Sequence, residues 1–160
     1  MILPSLLLYL SDAQRASMLA LARSGKAFQA GVERTAVGGS LSHLQLLNPA
    51  GSSVRVQLLY AWISAASQAN LTFRSYDTAL ATLVSGSNAL LGGAAPIAQP
   101  RFEAIPTANI VGVQLSLWRL ASPEVMEYPY VLNPGKGLVI KFESTGVSLI
   151  GSFFWTEQPT

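Results

Sequence analysis

Acid–base and nucleophilic catalysis need a positioned base, most often histidine. This chain has one histidine, His43. It stands in Leu41-Ser42-His43-Leu44-Gln45-Leu46, an alternating stretch with the texture of a strand, where a lone histidine reads as structural rather than catalytic. There is no second histidine and no cysteine, which excludes a zinc site built on thiolates or on a histidine cluster. The aspartates are Asp12 and Asp77, far apart in the chain. Asp12 has the position of a first-turn helix residue, where the helix dipole favours a carboxylate, and Asp77 that of a turn or cap residue. Glycoside hydrolysis would need two carboxyl groups flanking the scissile bond. The closest pair in sequence, Glu124 and Glu127, lies beside Pro123 and Pro129 and reads as a solvated loop. Gly92-Gly93-Ala94-Ala95-Pro96 lacks the Lys-Ser/Thr ending of a phosphate loop. Asn70-Leu71-Thr72 fits the N-glycosylation triplet, a pattern common by chance. Among the aromatic residues, Trp118, Tyr128 and Tyr130 are the candidates for an exposed ligand or partner contact. Trp118 is the foremost, because it alternates out of phase with Leu115 and Leu117. The residues therefore point to no catalytic group, no metal and no cofactor.

The scarcity of such groups is a property of the whole chain. Of its 160 residues 50% are hydrophobic and only 11% are charged, with mean hydropathy +0.38. An average soluble domain is about 25% charged, so this composition disfavours a solitary, highly soluble monomer and argues against intrinsic disorder. The length fits one domain with its own core. Ten basic and eight acidic residues leave a charge of +2. The basic residues are scattered rather than clustered, so no nucleic-acid partner is expected.

The N-terminal run Met1-Ile2-Leu3-Pro4-Ser5-Leu6-Leu7-Leu8-Tyr9-Leu10 has no basic residues before its apolar part and is too short to cross a bilayer. No membrane association is expected. The run reads as an extended apolar arm over residues 1–10, in which Ile2, Leu3, Pro4, Leu6, Leu7, Leu8 and Leu10 are candidate contacts with a partner or a neighbouring subunit. Ser11 with Gln14 three residues later has capping-box spacing, good helix formers follow, and Gly25 suits a C′ position. A short helix is expected within residues 11–25.

Beyond Gly25 the period becomes two. Phe28, Ala30 and Val32 alternate with polar or small neighbours, as do Leu44 and Leu46, Val54 to Trp62, Leu71 and Phe73, Val111 to Leu117, Leu138 to Phe142, and Val147 to Trp155. Strict alternation predicts half-buried strands. Asn48-Pro49-Ala50-Gly51-Ser52 and Asn133-Pro134-Gly135-Lys136 separate such runs, the second with the Pro and Gly positions of a type II turn. The expected fold is mainly β: an antiparallel sandwich over residues 26–160, jelly-roll-like with about eight strands, plus the one short helix. Residues 54–63 and 147–155 carry apolar side chains on both faces, so these strands are either buried on both sides or make subunit contacts.

Several segments carry a resemblance. Leu44-Gln45-Leu46-Leu47-Asn48-Pro49-Ala50-Gly51-Ser52 resembles a leucine-x-asparagine-proline-alanine-glycine-serine segment of small virion proteins from tailed bacteriophages. Arg74-Ser75-Tyr76-Asp77-Thr78-Ala79-Leu80, Leu90-Leu91-Gly92-Gly93-Ala94-Ala95-Pro96, Tyr130 to Ile140 through Asn133-Pro134-Gly135-Lys136, and the ending Phe153-Phe154-Trp155-Thr156-Glu157 are similar to segments of the same proteins. The likeness spans roughly residues 15–157 and is one of texture and order. It implies a non-enzymatic structural protein, made in the host bacterial cytoplasm and located in the virion. The foremost expectation is a capsid decoration (cement, or minor capsid) protein on the capsid surface, a homotrimer that bridges copies of the major capsid protein. The alternative implied is a tail, fibre or baseplate jelly-roll module that binds a host glycan or receptor.

Overall fold

The computed structural model describes residues 11–65, 69–90, 92–107, 111–120 and 124–160; for residues 69, 120 and 124–129 it describes the backbone. The expected arm, residues 1–10, lies outside the described residues.

Helix α1 (Asp12–Arg23) begins as its sequence dictates. The Ser11 N–H donates to Gln14 Oε1 at 2.6 Å, and the Gln14 N–H donates to Ser11 Oγ at 3.4 Å. The reciprocal pair satisfies two amide donors that the first turn would otherwise leave open. Gly25, at φ +69, ends the helix in the left-handed conformation.

Among the described residues eleven strands follow: β1 (Ala27–Arg34), β2 (Ser40–Leu47), β3 (Val54–Ala65), β4 (Ala69–Ser75), β5 (Thr82–Leu83), β6 (Ser87–Asn88), β7 (Gln99–Pro106), β8 (Val113–Leu120), β9 (Glu124–Leu132), β10 (Gly137–Thr145) and β11 (Leu149–Pro159). They form two antiparallel sheets, one in the order β6-β1-β11-β3-β9 and the other in the order β5-β7-β2-β10-β4-β8. The sheets lie face to face. Arg34 of β1 sits over the Phe102 ring of β7 at 5.9 Å, and Tyr130 of β9 stacks on Phe73 of β4 at 6.2 Å. Corresponding edges therefore lie together: β5 with β6 on one side, β8 with β9 on the other.

Period two places Leu44, Leu46, Val56, Leu58, Ile63, Leu71, Phe73, Ile140, Phe142, Phe153 and Trp155 between the sheets as one core. At Gly151 the facing side chains come close: a Cβ there would fall 2.5 Å from Leu44 Cδ1 and 3.2 Å from Ile63 Cδ1, so any larger residue would force these core side chains to shift.

The apolar outer faces of β3 and β11 are partly covered by the protein itself, Phe154 fully, while Ile150 stays exposed. Met18 and Leu21 of α1 pack with Ala27 and Phe154, and Leu59, Tyr60 and Trp62 join them. The sequence pattern put Val54 through Trp62 on one face. A register shift between Leu58 and Tyr60 breaks that alternation, so Val56 and Leu58 point inward, then Ala61 and Ile63. Tyr60 and Trp62 are thereby turned toward the helix. The outer face of the second sheet is partly covered too, where Leu80, Ile105, Val111 and Val139 cluster with Tyr76.

Two strands lie where the alternation pointed to none. Glu124 and Glu127, expected in a solvated loop, belong to β9, and residues 99–106 form β7. Pro129 suits β9 because the strand is an edge and its register shifts between Tyr130 and Glu127.

Candidate functional site

Three of the turn segments singled out in the sequence, residues 44–52, 74–80 and 130–140, converge at one end of the sandwich. Asn48, fully buried, donates through Nδ2 to Val54 O at 2.8 Å and to Leu132 O at 2.9 Å. Its Oδ1 accepts from Ser52 Oγ at 2.6 Å. The Asn48 N–H donates to Lys136 O, and Gly135 N–H donates to Asn48 O, each at 2.9 Å. Gly135, at φ +80, together with the bond from Lys136 N–H to Asn133 O at 3.0 Å, makes the expected type II turn. From the other side, Lys136 Nζ meets Asp77 Oδ2 at 2.7 Å, and the Lys136 hydrogen bond holds the Asp77 carboxyl below its ordinary range. Gln45 closes the cluster: its Nε2 donates to Tyr76 O and Thr78 O, and its Oε1 accepts from Leu80 N–H. These side chains are occupied with backbone groups of neighbouring turns. What they accomplish is to clamp the loops β2–β3, β4–β5 and β9–β10 together.

His43 lies on the outer face of the second sheet, in a rung that runs Glu103, His43, Lys141, Thr72, Leu117 across β7, β2, β10, β4 and β8. It is only 1% exposed. Its Nδ1 donates to Leu41 O at 2.9 Å, which leaves Nε2 as the unprotonated nitrogen, buried and without a hydrogen-bond partner. Burial, aided by the Lys141 charge, lowers its pKa to about 4. Such a ring is neutral at pH 7, and no hydroxyl or thiol is bonded to it as a nucleophile would be. Beside it, Glu143 accepts from Thr72 Oγ1 at 2.6 Å and pairs with Lys141 Nζ at 2.8 Å. Burial raises the Glu143 pKa, but the bonds from Lys141 and Thr72 outweigh it and the net shift is downward. Sequence reading missed this pair; its signal was the Lys141-Phe142-Glu143 spacing, which places both charges on one face of a strand.

The aromatic candidates separate. Trp118 was expected on the exposed face of its strand, and the register reverses this. Leu71 points into the core and is paired with Trp118, so Trp118 packs against the core as well. Leu115 is the extra residue of a bulge between the pairs Phe73↔Ser116 and Arg74↔Gln114. Val113, Leu115 and Leu117, expected inside, are 70%, 49% and 58% exposed. Tyr130 is half-buried against Phe73. The side chain of Tyr128 lies outside the described residues, as do those of Glu124 and Glu127 and the arm residues Ile2, Leu3, Pro4, Leu6, Leu7, Leu8 and Leu10.

Further exposed apolar residues collect at the opposite edge: Leu83 on β5, and Leu90 and Ile97 in the segment between β6 and β7. That segment is held by Asn88, which donates to Gly25 O and Ala94 O, and by Glu157, which accepts from the N–H groups of Ile97 and Ala98. Among the described residues no group of three or more His, Asp or Glu could hold a metal ion, and no helix is long and apolar enough to cross a membrane. Comparison of the chain with family models, with curated proteins and with solved structures finds no match.

Proposed function

We propose that this chain is a non-enzymatic structural protein of a tailed-bacteriophage virion, a decoration protein that self-associates, as a homotrimer, and bridges major capsid proteins on the head. The observation that carries the reading is how the two kinds of side chain are distributed. Polar side chains such as Asn48, Gln45 and Asp77 are engaged in clamping turns, while large apolar side chains stand exposed at both edges of a sandwich that is only 11% charged. Such a surface favours burial against other proteins.

The strand order supports a finer reading of the fold as a jelly roll. Leaving out β5, β6 and β7, the sheets run β1-β11-β3-β9 and β2-β10-β4-β8. These are eight strands in which early and late strands pair across the chain, as two interlocked Greek keys require. The glycan-binding alternative draws less support, because Trp118 and Tyr130 pack against the core.

The test is binding to expanded capsids assembled from the phage's major capsid protein. Saturation at hundreds of copies per particle, with immunogold label on the head, is expected. Label confined to the tail, or no binding at micromolar protein, would overturn the reading. Deleting residues 1–10 is expected to weaken binding and leave the sandwich folded by circular dichroism.

A further inference from the structure

Arg34, Arg74 and Arg101 are half-buried, and the other arginines are exposed. Arg74 donates to Val111 O and Gly112 O, and Arg101 to Leu80 O and Gln99 Oε1. Arg34 has no such arrangement. It follows Val32 on the inward face of β1 and reaches between the sheets, where its guanidinium carbon lies 5.9 Å from the centre of the Phe102 ring. Its Nε is buried and has no hydrogen-bond partner, and among the described residues no carboxylate pairs with it. The ring attracts the charge but leaves the N–H groups without an acceptor. A buried donor on a charged group is costly to leave unmet, and arginine cannot shed its charge to avoid that cost.

The chain has eight carboxylate side chains, and none is placed to meet this need. Glu33 is the neighbour of Arg34 on β1 and therefore faces the opposite way, exposed. Asp12 stands fully exposed beside Arg15 on α1, which packs on the outer side of the first sheet. Asp77 and Glu143 pair with Lys136 and Lys141. Glu103 accepts from Ala81 N–H, and Glu157 from the N–H groups of Ile97 and Ala98 toward the far end of β11. Glu124 and Glu127 belong to β9, three places across the sheet from β1. The acceptor that Arg34 lacks must come from another molecule. Its end of the sandwich, opposite the Asn48 clamp, is open to one. There the turns β1–β2 and β10–β11 meet through the bond from Ala36 N–H to Ser148 Oγ at 2.9 Å, and a Cβ at Gly38, Gly39 or Gly146 would touch nothing within 4 Å.

We infer that Arg34 receives a carboxylate carried by another protein: an Asp or Glu side chain of a partner enters beside Phe102 and pairs with the guanidinium. A planar fork of N–H groups matches a carboxylate with two parallel bonds. A nucleic acid fits less well, because no lysine or arginine occurs among residues 35–54 or 142–160 to track a phosphate backbone. The inference rests on the proposed function only in taking a protein as the carrier of the carboxylate.

The experiment compares the full wild-type chain with Arg34→Met, which keeps an apolar stem and removes the charge. The variant is expected to melt at or above the wild-type temperature, because an unpaired charge leaves the interior. A lower melting temperature would show that the guanidinium holds the fold itself, and overturns the inference. In wild type the Arg34 Nε–H resonance, assigned by its loss in the variant, is followed at constant ionic strength as N-acetyl-Leu-Glu-Leu-amide is added. A saturable shift is expected, with little response to the Leu-Gln-Leu peptide or to inorganic phosphate. No shift with the glutamyl peptide, an equal one with the glutaminyl peptide, or a larger one with phosphate overturns the inference. Arg34→Met is also expected to bind expanded capsids more weakly, by about tenfold or more. A peptide response from a wild type that ignores capsids would leave the Arg34 site standing and remove the capsid role; full-strength capsid binding by Arg34→Met would do the reverse.

Discussion

His43 shows what burial does to a side chain that could otherwise work. An imidazole ordinarily titrates near 6.5, and here it stays neutral down to about 4. The unfolded chain takes up a proton between those values and the folded chain does not, so stability is full above pH 6.5 and falls as the pH drops toward 4. The loss attributable to this one residue is about 3 kcal/mol by pH 4. Lys141, Arg74, Glu143 and the cross-strand Glu103 surround it. These groups are unchanged in a His43→Asn variant, whose amide can still donate toward Leu41 O. Urea unfolding at pH 7, 5 and 4 is expected to show wild type losing about 3 kcal/mol more than this variant across the range. Parallel slopes would mean that the ring is not the group that titrates. The sequence marked His43 as structural from its solitude within an alternating strand, and the placement agrees. It gave no warning of the orphaned Nε2, because what buries a side chain on an outer sheet face comes from distant segments.

At the scale of elements, legibility follows locality. The capping box at Ser11 and the turn at Asn133–Lys136 were readable because neighbouring residues complete each motif. The facing of β8 and of the second half of β3 was not readable. One inserted residue reverses every side chain beyond it, and the shifts at Leu59 and Leu115 are set by partner strands rather than by local composition. β7 and β9 were missed because proline reads against a strand unless the strand is known to be an edge or a bulge is known to receive it. Helix α1 is the most separable element, anchored on the first sheet through Met18, its one buried residue, with Leu21 beside it. Met18→Ser is therefore expected to free residues 12–23 while the sheets persist. Hydrogen exchange should quicken in the helix amides by tenfold or more and leave β3 and β11 protected. Equal acceleration throughout would show that the helix and sheet open as one unit.

The whole molecule separates holding from joining. Turns at one end are tied by polar side chains, whereas the two lateral edges offer carbon to whatever meets them. Because the proposed self-association rests on exposed apolar side chains, it is expected to tighten in ammonium sulfate and to be nearly indifferent to sodium chloride up to 0.5 M. Sedimentation at graded protein concentrations in each salt measures this, and dissociation by sodium chloride would point to ion pairs instead. The order of strands also imposes a timetable. β11 lies between β1 and β3, so the middle of the first sheet is supplied by residues 149–159, and β1 waits for a partner met more than a hundred residues later. During synthesis at roughly 5–20 residues per second, the early strands spend several seconds without the neighbour that completes their sheet. The apolar faces of β1 and β3 are uncovered over that interval, which makes nascent chains of this protein clients for whatever shelters hydrophobic segments at the ribosome.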